Sequence, residues 1–504
     1  MIFAFRRTLS PPAMVEANGI SMIKEGGLHL GHVLEMLTEY RPNGNEPAVS
    51  SFVADSREAE PGCVFVAFPG EKVDGHDYVA EAFQAGAIAT LIQKPISTDA
   101  GHWTVVDARN GRAAQPAALT PNARVCILVN DTQETLQDLS RMWRARFNIR
   151  VIGITGSVGK TSTKELTHAV LSRRYHTLKS TGNRNNEIGV PMSLLNLRPE
   201  HERAVIEMGM YARGEIHLLC DLARPQVGVV TMIGPVHLER LGSMEAIVAA
   251  KRELVEALPE DGIAVLNQDD ERVMGMAEYT KARIFTYGLD PRADLWADGI
   301  ESMGLDGIHF TLHYQAEAIT VRVPLLGRHS VHTALRATAV GLIEGLSWSE
   351  IVSGLSGLSS QLRLVVIPGP NGSLLLDDTY NSNPDSALAA LNLLDDLSGR
   401  KIAVLGDMLE LGDAEHQAHR LVGRRVADVA DIVITVGPRA RTIAHEALLV
   451  GMDDDHVIQV DEAPDATGIL EDMIGSGDIV LVKGSLGMRM DRIVNALGKG
   501  EAWD

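Results

Sequence analysis

The sequence predicts an α/β protein that is divided into three domains. The chain has 504 residues, and because a domain typically holds about 100–200 residues, one compact core cannot account for it. Short apolar runs bounded by Gly or Asp recur along the chain and alternate with helix-like stretches. This alternation is typical of mainly parallel sheets with buried strands.

The first domain is predicted over residues 1–127. Three β-type runs and one helix-like run follow one another between residues 50 and 106, in the order "CVFVAF", "DYVAEAFQAGA", "AIATLIQ" and "WTVVDA". The run "VCILVND" marks a boundary near residue 128, and the helical stretch "TQETLQDLSRMWRARF" leads into the next domain.

The central domain is predicted over residues 128–325 and the third over residues 326–504. The runs "RAVIEMG", "VGVVTMIG", "GIAVLNQDD" and "ARIFTYG" indicate parallel strands in the central domain. Alternating polarity in "GIHFTLHY" and "ITVRVPL" indicates antiparallel strands at its end. The helix "SVHTALRATAVGLIEGL" is predicted to open the third domain, where "SLLLDD", "KIAVLGD", "DIVITVG" and "DIVLVKG" again indicate parallel strands.

The composition excludes several classes of function. A net charge of −20, from 66 acidic and 46 basic residues, repels phosphate backbones, so we predict no nucleic-acid partner. No run approaches the roughly 20 apolar residues of a membrane span, so we predict no membrane insertion. The three scattered cysteines lack metal-ligand spacing and indicate a reducing compartment, so we predict a cytoplasmic protein.

The stretch "VIGITGSVGKTSTKE" predicts a phosphate-binding loop between a strand and a helix. Glycines let the backbone approach the phosphates, and the N–H groups of the helix start point at the anion. Lys160 would reach the outer phosphates, and the Thr161 hydroxyl would bind Mg²⁺. A plain strand–helix turn is the alternative, but it leaves Lys160 as an unneeded charge at the positive end of a helix. The candidate nucleotide-binding residues are Gly156, Ser157, Val158, Gly159, Lys160, Thr161 and Ser162.

Three more positions are candidates because of where they fall in the pattern. Glu207 closes an apolar strand and could bind Mg²⁺, although an ordinary acid at a strand end fits equally well. His237 follows another strand end, where a lone histidine is more often structural. Lys251 lies on a predicted helix, and its position there indicates a solvated face.

Two polar turns follow strands and precede helices. The stretch "TGNRNNEIGVPMSLL" contains Asn183, Asn185 and Asn186, which exceed the needs of one helix cap, so we expect ligand contacts beside capping. The stretch "LLLDDTYNSNPDSALAAL" places Asp377 and Asp378 where they could hold ribose hydroxyls. The alternative for these acids is a turn followed by an N-cap.

Together these stretches resemble the Mur ligases of peptidoglycan synthesis, over about residues 50–490. The stretches "TGSVGKTSTKE", "TGNRNNEIGVPMSLL", "EMGMYARGEI", "HLERLGS" and "AAKRELVEALP" come in the order of that family. The stretches "LLLDDTYNSNPDS" and "VLGDMLELG" resemble the members that add D-alanyl-D-alanine. The stretch "VADSREAEPGCVFVAFPGEKVDGHDYV" resembles the UDP-binding first domain of those members.

The resemblance implies an ATP-dependent amide ligation through an acyl phosphate, with Mg²⁺ as cofactor. The implied substrates are UDP-N-acetylmuramoyl-tripeptide and D-alanyl-D-alanine. It also implies a monomer with a central ATP-binding domain and a Rossmann-like third domain that binds the dipeptide and part of ATP. Three alternatives stay open: a family member that joins a different amine and carboxylate, a non-catalytic partner subunit, and a P-loop GTPase. The last lacks an Asn-Lys-x-Asp guanine motif.

Residue roles are implied by the same resemblance. Lys160 and Thr161 would serve the phosphates and a first Mg²⁺, Glu207 would bind that metal, and His237 would lie near a second. Lys251 falls where these ligases carry a carbamylated lysine, which reverses the interpretation from the helix pattern. The remaining implied contacts are Arg363 with the ATP phosphates in a catalytic role, Asp378, Tyr380 and Asn381 with the nucleotide, Ser56 and Arg57 with the uridine side, and Asn183, Asn185 and Asn186 with the muramoyl substrate.

The sequence departs from the family pattern at two places. After "LLGRH" the family usually has two asparagines that contact adenine, and here Ser330 and Thr333 stand in those positions. A hydroxyl can form hydrogen bonds, but it cannot reproduce the paired donor and acceptor of an amide. Gln361 and Leu362 replace the usual Pro-Gly pair before Arg363.

Overall fold

The computed structural model describes residues 27–70, 73–96, 103–109, 123–357 and 364–498. These residues form three sheets that follow one another along the chain, with five, nine and six strands. Helices separate most consecutive strands, and most neighbouring strands run parallel. The predicted α/β class with mainly parallel sheets is therefore confirmed.

The first sheet is parallel throughout. It and its helices comprise α1 (Leu30–Leu37), β1 (Phe52–Val53), β2 (Val64–Val66), α2 (Val79–Ala85), β3 (Ala89–Ile92), β4 (Thr104–Asp107), β5 (Val125–Leu128) and α3 (Thr132–Arg144). The strand order is β1-β2-β3-β5-β4. Helix α3 begins after Asp131, whose carboxylate accepts the backbone N–H groups of Gln133 and Glu134, as an N-cap does. The buried Trp143 of α3 donates its indole N–H to the Leu197 carbonyl and so joins the first sheet to the second.

The second sheet carries the predicted phosphate loop. Its strands and helices are β6 (Arg150–Thr155), α4 (Lys160–Leu171), β7 (Thr177–Lys179), α5 (Gly189–Leu195), β8 (Arg203–Glu207), α6 (Glu215–Ala223), β9 (Val227–Val230), α7 (Leu238–Leu241), α8 (Met244–Glu256), β10 (Ile263–Asn267), α9 (Glu271–Met274), β11 (Arg283–Gly288), β12 (Leu295–Ser302), β13 (Ile308–Tyr314) and β14 (Glu317–Val323). The order is β14-β13-β12-β11-β10-β9-β6-β8-β7. Strands β12, β13 and β14 pair antiparallel, which confirms the prediction from their alternating polarity.

Two helices extend the central core beyond the predicted boundary at residue 325. Helices α10 (Val331–Ile343) and α11 (Trp348–Ser356) share a buried cluster with β6, α4 and the strands from β9 to β14. A Cβ on Gly354 would lie 2.5 Å from the Val170 Cα, so the missing side chain lets α11 approach α4 closely. Helices α10 and α11 therefore pack as part of the central core, and the boundary at residue 325 stays a prediction. The boundary near residue 128 stays a prediction.

The third sheet is parallel except at one edge. Its elements are β15 (Val365–Pro368), β16 (Leu374–Asp378), α12 (Pro384–Asp396), β17 (Lys401–Gly406), α13 (Glu415–Val429), β18 (Ile432–Val436), α14 (Arg441–Leu449), β19 (Val457–Val460), α15 (Ala463–Met473), β20 (Ile479–Lys483) and α16 (Asp491–Leu497). The order is β15-β16-β20-β17-β18-β19, and only β15 is antiparallel to its neighbour. Among the helices of the described ranges, none has both the length and the apolar composition needed to cross a membrane.

Candidate functional site

The strand register brings the predicted site residues together at one edge of the second sheet. Ile154 of β6 pairs with Glu207, the last residue of β8, and Thr155 pairs with Val230, the last residue of β9. Strand β6 has β8 and β7 on one side and β9 and the later strands on the other. The order of the strands therefore reverses its direction at β6. Ligands of open parallel sheets bind outside the carboxyl ends of the strands at such a point.

The conformation of the loop after β6 depends on two glycines and on a hydrogen bond that fixes the loop to a neighbouring segment. Gly156 has a φ of 142°, and a Cβ there would lie 1.8 Å from the Thr231 Oγ1. Ser157 donates its hydroxyl to the Gly234 carbonyl at 3.0 Å and thereby ties the loop to the segment after β9. Gly159, with a φ of 83°, precedes the first residue of α4. The loop thus presents backbone N–H groups at the positive end of a helix.

Gly156→Ala is expected to destabilise the protein by about 2–4 kcal/mol and to weaken nucleotide binding, since the methyl group adds a clash to an unfavourable φ. Chemical denaturation and calorimetric titration with ADP measure both effects. Gly451→Ala is the matched control, because Gly451 has a φ of 110° but no atom within 4 Å of the added Cβ. Losses of equal size in the two variants would contradict the steric argument.

Thr161, Glu207 and Asn185 form one polar cluster beside the loop. The Thr161 hydroxyl donates to Glu207 Oε1 at 3.2 Å, and the Asn185 amide donates to the same oxygen at 2.8 Å. Glu207 is 1% exposed, its Oε2 has no hydrogen-bond partner, and the Lys164 ammonium lies 3.7 Å from that oxygen. A buried carboxylate oxygen without a donor is costly. Together with the adjacent hydroxyl it fits a hard cation such as Mg²⁺.

Lys160 and Lys251 converge on the same backbone carbonyl. Their ammonium groups donate to the Gly156 oxygen at 2.9 Å and 3.0 Å. Lys251 is 2% exposed, and burial, followed by the charge of Lys160, lowers the pKa of Lys251 well below its usual value. Lys251 shares the buried side of α8 with Ile247, Ala250 and Leu254. The interpretation of Lys251 as a solvated helix residue is therefore wrong, and this helical spacing of apolar neighbours is the signal that it missed.

His237 reaches the third domain. It precedes α7 with a φ of 56°, and its Nδ1 lies 2.6 Å from Glu410 Oε2, which belongs to the loop after β17. Burial lowers the pKa of His237, and the Glu410 carboxylate partly opposes that shift. The Tyr211 ring packs edge-on at 5.2 Å between ring centres. Lys251 and Lys160 are close enough to act on His237 electrostatically, so all three predicted residues occupy one region.

Within the described ranges, no three histidine, cysteine or carboxylate side chains converge as a ready-made metal cluster. The predicted metal ligands instead mix side-chain types. Thr161 and Glu207 contact each other, whereas His237 and Lys251 hold separate partners. Among these four residues Glu207 is the one carboxylate, and a modification of Lys251 to a carbamate would add a second ligand of that type.

A cavity of about 770 Å³ lies between the phosphate loop, helix α10 and the third domain. Asp378 lines it, accepts a hydrogen bond from the buried Lys483 at 2.7 Å, and leaves its Oδ1 buried without a partner. That spare oxygen suits a hydroxyl donor. Tyr380 and Asn381 follow on the same turn but lie outside the lining, and the Asn381 carbonyl accepts from Lys483 at 2.8 Å.

The two hydroxyls in the place of the family asparagines are engaged within helix α10 and its start. Ser330 donates to the Leu326 carbonyl at 2.7 Å. The Thr333 oxygen accepts from Arg336 at 3.0 Å. Both residues line the cavity. The resemblance implies adenine contacts at this wall of the cavity. Both hydroxyls there already have hydrogen-bond partners within the protein.

Several residues of this cavity were not predicted from the sequence. The Asp269 carboxylate lies 2.8 Å from the His332 ring nitrogen. Arg336 is buried in the wall, and Asp385 approaches Gly234. The signal for Arg336 was present, since it is a single charged residue in the apolar run "TALRATAVG". The signal for Asp269 was the acidic pair at the end of "VLNQDD".

A second cavity, of about 570 Å³, lies in the first domain and is lined by Ser56 and Arg57. Ser56 donates to Glu81 at 3.3 Å, and the exposed Arg57 pairs with Asp55. Arg184 pairs with Glu58 at 2.6 Å, which places the asparagine-rich turn beside this cavity.

The three predicted asparagines of that turn differ in position. Asn185 contacts Glu207, as described above, and Asn186 accepts the Gly189 N–H at 2.9 Å in a capping role. Asn183 is exposed. Arg363, Gln361 and Leu362 lie outside the described residues.

Three family descriptions match the chain in order. "Mur ligase family, catalytic domain" matches residues 49–144, "Mur ligase middle domain" matches residues 154–341, and "Mur ligase, glutamate ligase domain" matches residues 362–486.

The chain is 35% identical to the UDP-N-acetylmuramoyl-tripeptide–D-alanyl-D-alanine ligase of Bacillus subtilis, over 92% of this chain and 97% of that relative. It is 34% identical to the Escherichia coli protein of the same name, over 90% of this chain and 95% of that relative.

Solved structures agree with the sequence relatives. MurF from Acinetobacter baumannii matches with a TM-score of 0.76 and 30% identity, over 92% of this chain and 97% of that chain. MurF from Thermotoga maritima in complex with ADP matches with a TM-score of 0.71 and 27% identity, over 88% of this chain and 96% of that chain. The chain therefore belongs to the Mur ligase family and groups within it with the MurF ligases.

Proposed function

We propose that this protein joins D-alanyl-D-alanine to UDP-N-acetylmuramoyl-tripeptide and converts ATP to ADP and phosphate. One observation carries the proposal: relatives named for that reaction match the chain almost from end to end. The site adds physical support, because a phosphate loop, a carboxylate with a spare oxygen and two lysines lie at one sheet edge.

The residues present fit ATP. Gly156 lets the loop pack against Thr231, where any side chain would clash, and the loop so formed leads into the N-terminal end of α4, which suits phosphates. The cavity beside the loop is large enough for a nucleoside, and the Asp378 oxygen without a partner can accept a ribose hydroxyl. The structure of a MurF ligase in complex with ADP supports the same assignment.

The residues also fit Mg²⁺. Thr161 and Glu207 would hold one ion, and His237 with a modified Lys251 would hold a second. When bound, Mg²⁺ neutralises charge on the phosphate oxygens. Lys251 is suited to the modification because its amine is buried and disfavours a proton. A neutral amine adds to CO₂ and releases one proton, and the resulting carbamate carries the negative charge of a carboxylate.

The reaction then needs positioning and charge stabilisation more than covalent help. A carboxylate oxygen of the tripeptide attacks the γ-phosphorus, the bond to ADP breaks, and an acyl phosphate forms. The dipeptide amine attacks the acyl carbon, phosphate leaves with the electron pair of the C–O bond, and the amine gives up one proton. Lys160 and the loop N–H groups stabilise the charge that develops on the phosphate oxygens.

The test is phosphate release from ATP with UDP-N-acetylmuramoyl-tripeptide, in the presence and absence of D-alanyl-D-alanine. Single amino acids serve as controls for the amine. Release that requires both substrates is the expected result. Release with a different amine would assign the chain to another joining reaction, and no release with any pair would leave a nucleotide-binding partner subunit.

A further inference from the structure

Helix α10 places a charged side chain in the wall of the large cavity. Arg336 is 5% exposed, and every residue from Thr333 to Gly341 on this helix is buried. Its position is therefore not explained by contact with solvent. A buried guanidinium is costly unless its charge and its donors are matched.

The protein itself does not supply that match. One terminal nitrogen donates to the Thr333 hydroxyl at 3.0 Å, the Tyr287 ring lies nearby, and the Nε has no hydrogen-bond partner. In the part of the chain that the structure describes, no carboxylate forms an ion pair with this guanidinium. Thr333 and Tyr287 are neutral, so they leave the charge uncompensated.

Arg144 shows what a structurally satisfied buried arginine looks like here. It is also 5% exposed. Its Nε and both terminal nitrogens donate to the carbonyls of Ala223, Phe147 and Ile149 at 2.9, 2.8 and 3.2 Å. Three carbonyl acceptors match the three donor nitrogens of Arg144, whereas the guanidinium of Arg336 has only the neutral Thr333 and Tyr287 side chains as hydrogen-bond partners among the described residues.

The Arg336 guanidinium lies against the phosphate loop. Its two terminal nitrogens are 3.2 and 3.6 Å from the point that a Cβ on Gly159 would occupy. Gly159 precedes helix α4, whose N-terminal end is positive, and Lys160 is the first residue of that helix. A cation packed against a positive helix end is unfavourable until an anion lies between them.

Five carboxylates line the cavity, and none of them forms an ion pair with Arg336. Asp269 lies against His332 and accepts two backbone N–H groups, Asp270 caps α9, and Asp378 accepts from Lys483. Glu271 and Asp385 also line the cavity without pairing with the guanidinium, so a ligand can supply the missing negative charge.

We infer that Arg336 is a phosphate-binding residue of the nucleotide site, which contacts the phosphate chain of a bound nucleoside di- or triphosphate from the cavity side of Gly159. The inference rests on the proposed function and adds a residue that the phosphate-loop motif does not contain. A phosphate is favoured over the base as the contact because the guanidinium lies beside Gly159 and Ser162 lines the same cavity.

The test compares Arg336→Met with the unchanged protein by calorimetric titration with ADP and with adenosine. Methionine keeps an unbranched apolar stem and removes the guanidinium with its charge. ADP is expected to bind about 10- to 100-fold more weakly to the variant, which is the effect of one charge-assisted hydrogen bond, whereas adenosine affinity stays the same. Inorganic pyrophosphate should raise the Tm of the unchanged protein more than that of the variant.

Arg144→Met is the matched control. It is expected to lower the Tm and leave ADP affinity unchanged, whereas Arg336→Met without ligand is expected to keep or raise the Tm. Unchanged ADP affinity in Arg336→Met, or an equal loss of ADP and adenosine affinity, would overturn the inference alone. Failure of the unchanged protein to bind ADP would instead overturn the proposed function, and the inference with it.

Discussion

Lys160→Met is expected to lower the rate of phosphate release by about 10²–10³-fold, the usual cost of removing one electrostatic stabiliser of a transition state. Lys160 is the first residue of helix α4. Its ammonium donates to the loop carbonyls of Gly156 and Ser157 at 2.9 and 3.4 Å. It therefore lies where the outer phosphates would meet the loop. Methionine has a similar length, so the loop keeps its packing while the charge is lost.

The measurement is the steady-state rate with saturating ATP, tripeptide and dipeptide. Lys281→Met is the control, because Lys281 is an exposed lysine before β11 and far from the loop in sequence. We expect its rate to equal that of the unchanged protein. If Lys160→Met retains more than a tenth of the activity, the ammonium does not stabilise the transferring phosphate.

Lys251→Ala is expected to lose activity to a similar degree and to regain part of it in the presence of acetate or propionate. The side chain is buried, and its Nζ lies 3.0 Å from the Gly156 oxygen. Its replacement by alanine leaves a space that a short carboxylic acid can enter. Recovery by an anion is the signature of a lysine that works as a carbamate, since an ammonium could not be replaced in that way.

Lys160→Ala is the matched control for the recovery. Both lysines donate to the same carbonyl, but only Lys251 is proposed to act as an anion. Carboxylic acids should therefore leave the Lys160→Ala enzyme inactive. Full activity of Lys251→Ala, or equal recovery of both variants by acetate, would rule out the carbamate. Carbon-13 labelling with bicarbonate offers a direct spectroscopic check on the unchanged protein.

The sequence located most of the candidate site because the signals are local. The loop from Gly156 to Ser162 combines glycines with a helix start, and Glu207 closes an apolar strand. Each feature lies within a few residues of a strand or helix, and the type of that element can be predicted from the spacing of its own apolar residues. The strand register then brings Glu207 beside the loop, as expected when parallel strands end at the same edge.

The third-domain boundary was less accessible to the sequence. The run that forms α10 is as apolar as other buried helices and follows a Pro at residue 324, so it resembles the start of a new unit. Its attachment depends on how closely α10 and α11 approach α4, which Gly341 and Gly354 permit. The close approach of two helices depends on surfaces that are far apart in the sequence. It cannot be predicted from one stretch of residues alone.

By itself the sequence determined the α/β class, the phosphate loop, the order of the family motifs and the charge that disfavours nucleic acid. Only the tertiary structure decided that Lys251 meets Gly156 across 95 residues, that His237 meets Glu410 across 173, and that Arg336 lies against Gly159 without a carboxylate partner among the described residues. The physical reason is the distance along the chain over which each kind of interaction acts. Periodicity and turn chemistry act within one element, whereas burial and pairing of a charge depend on which distant elements pack around it.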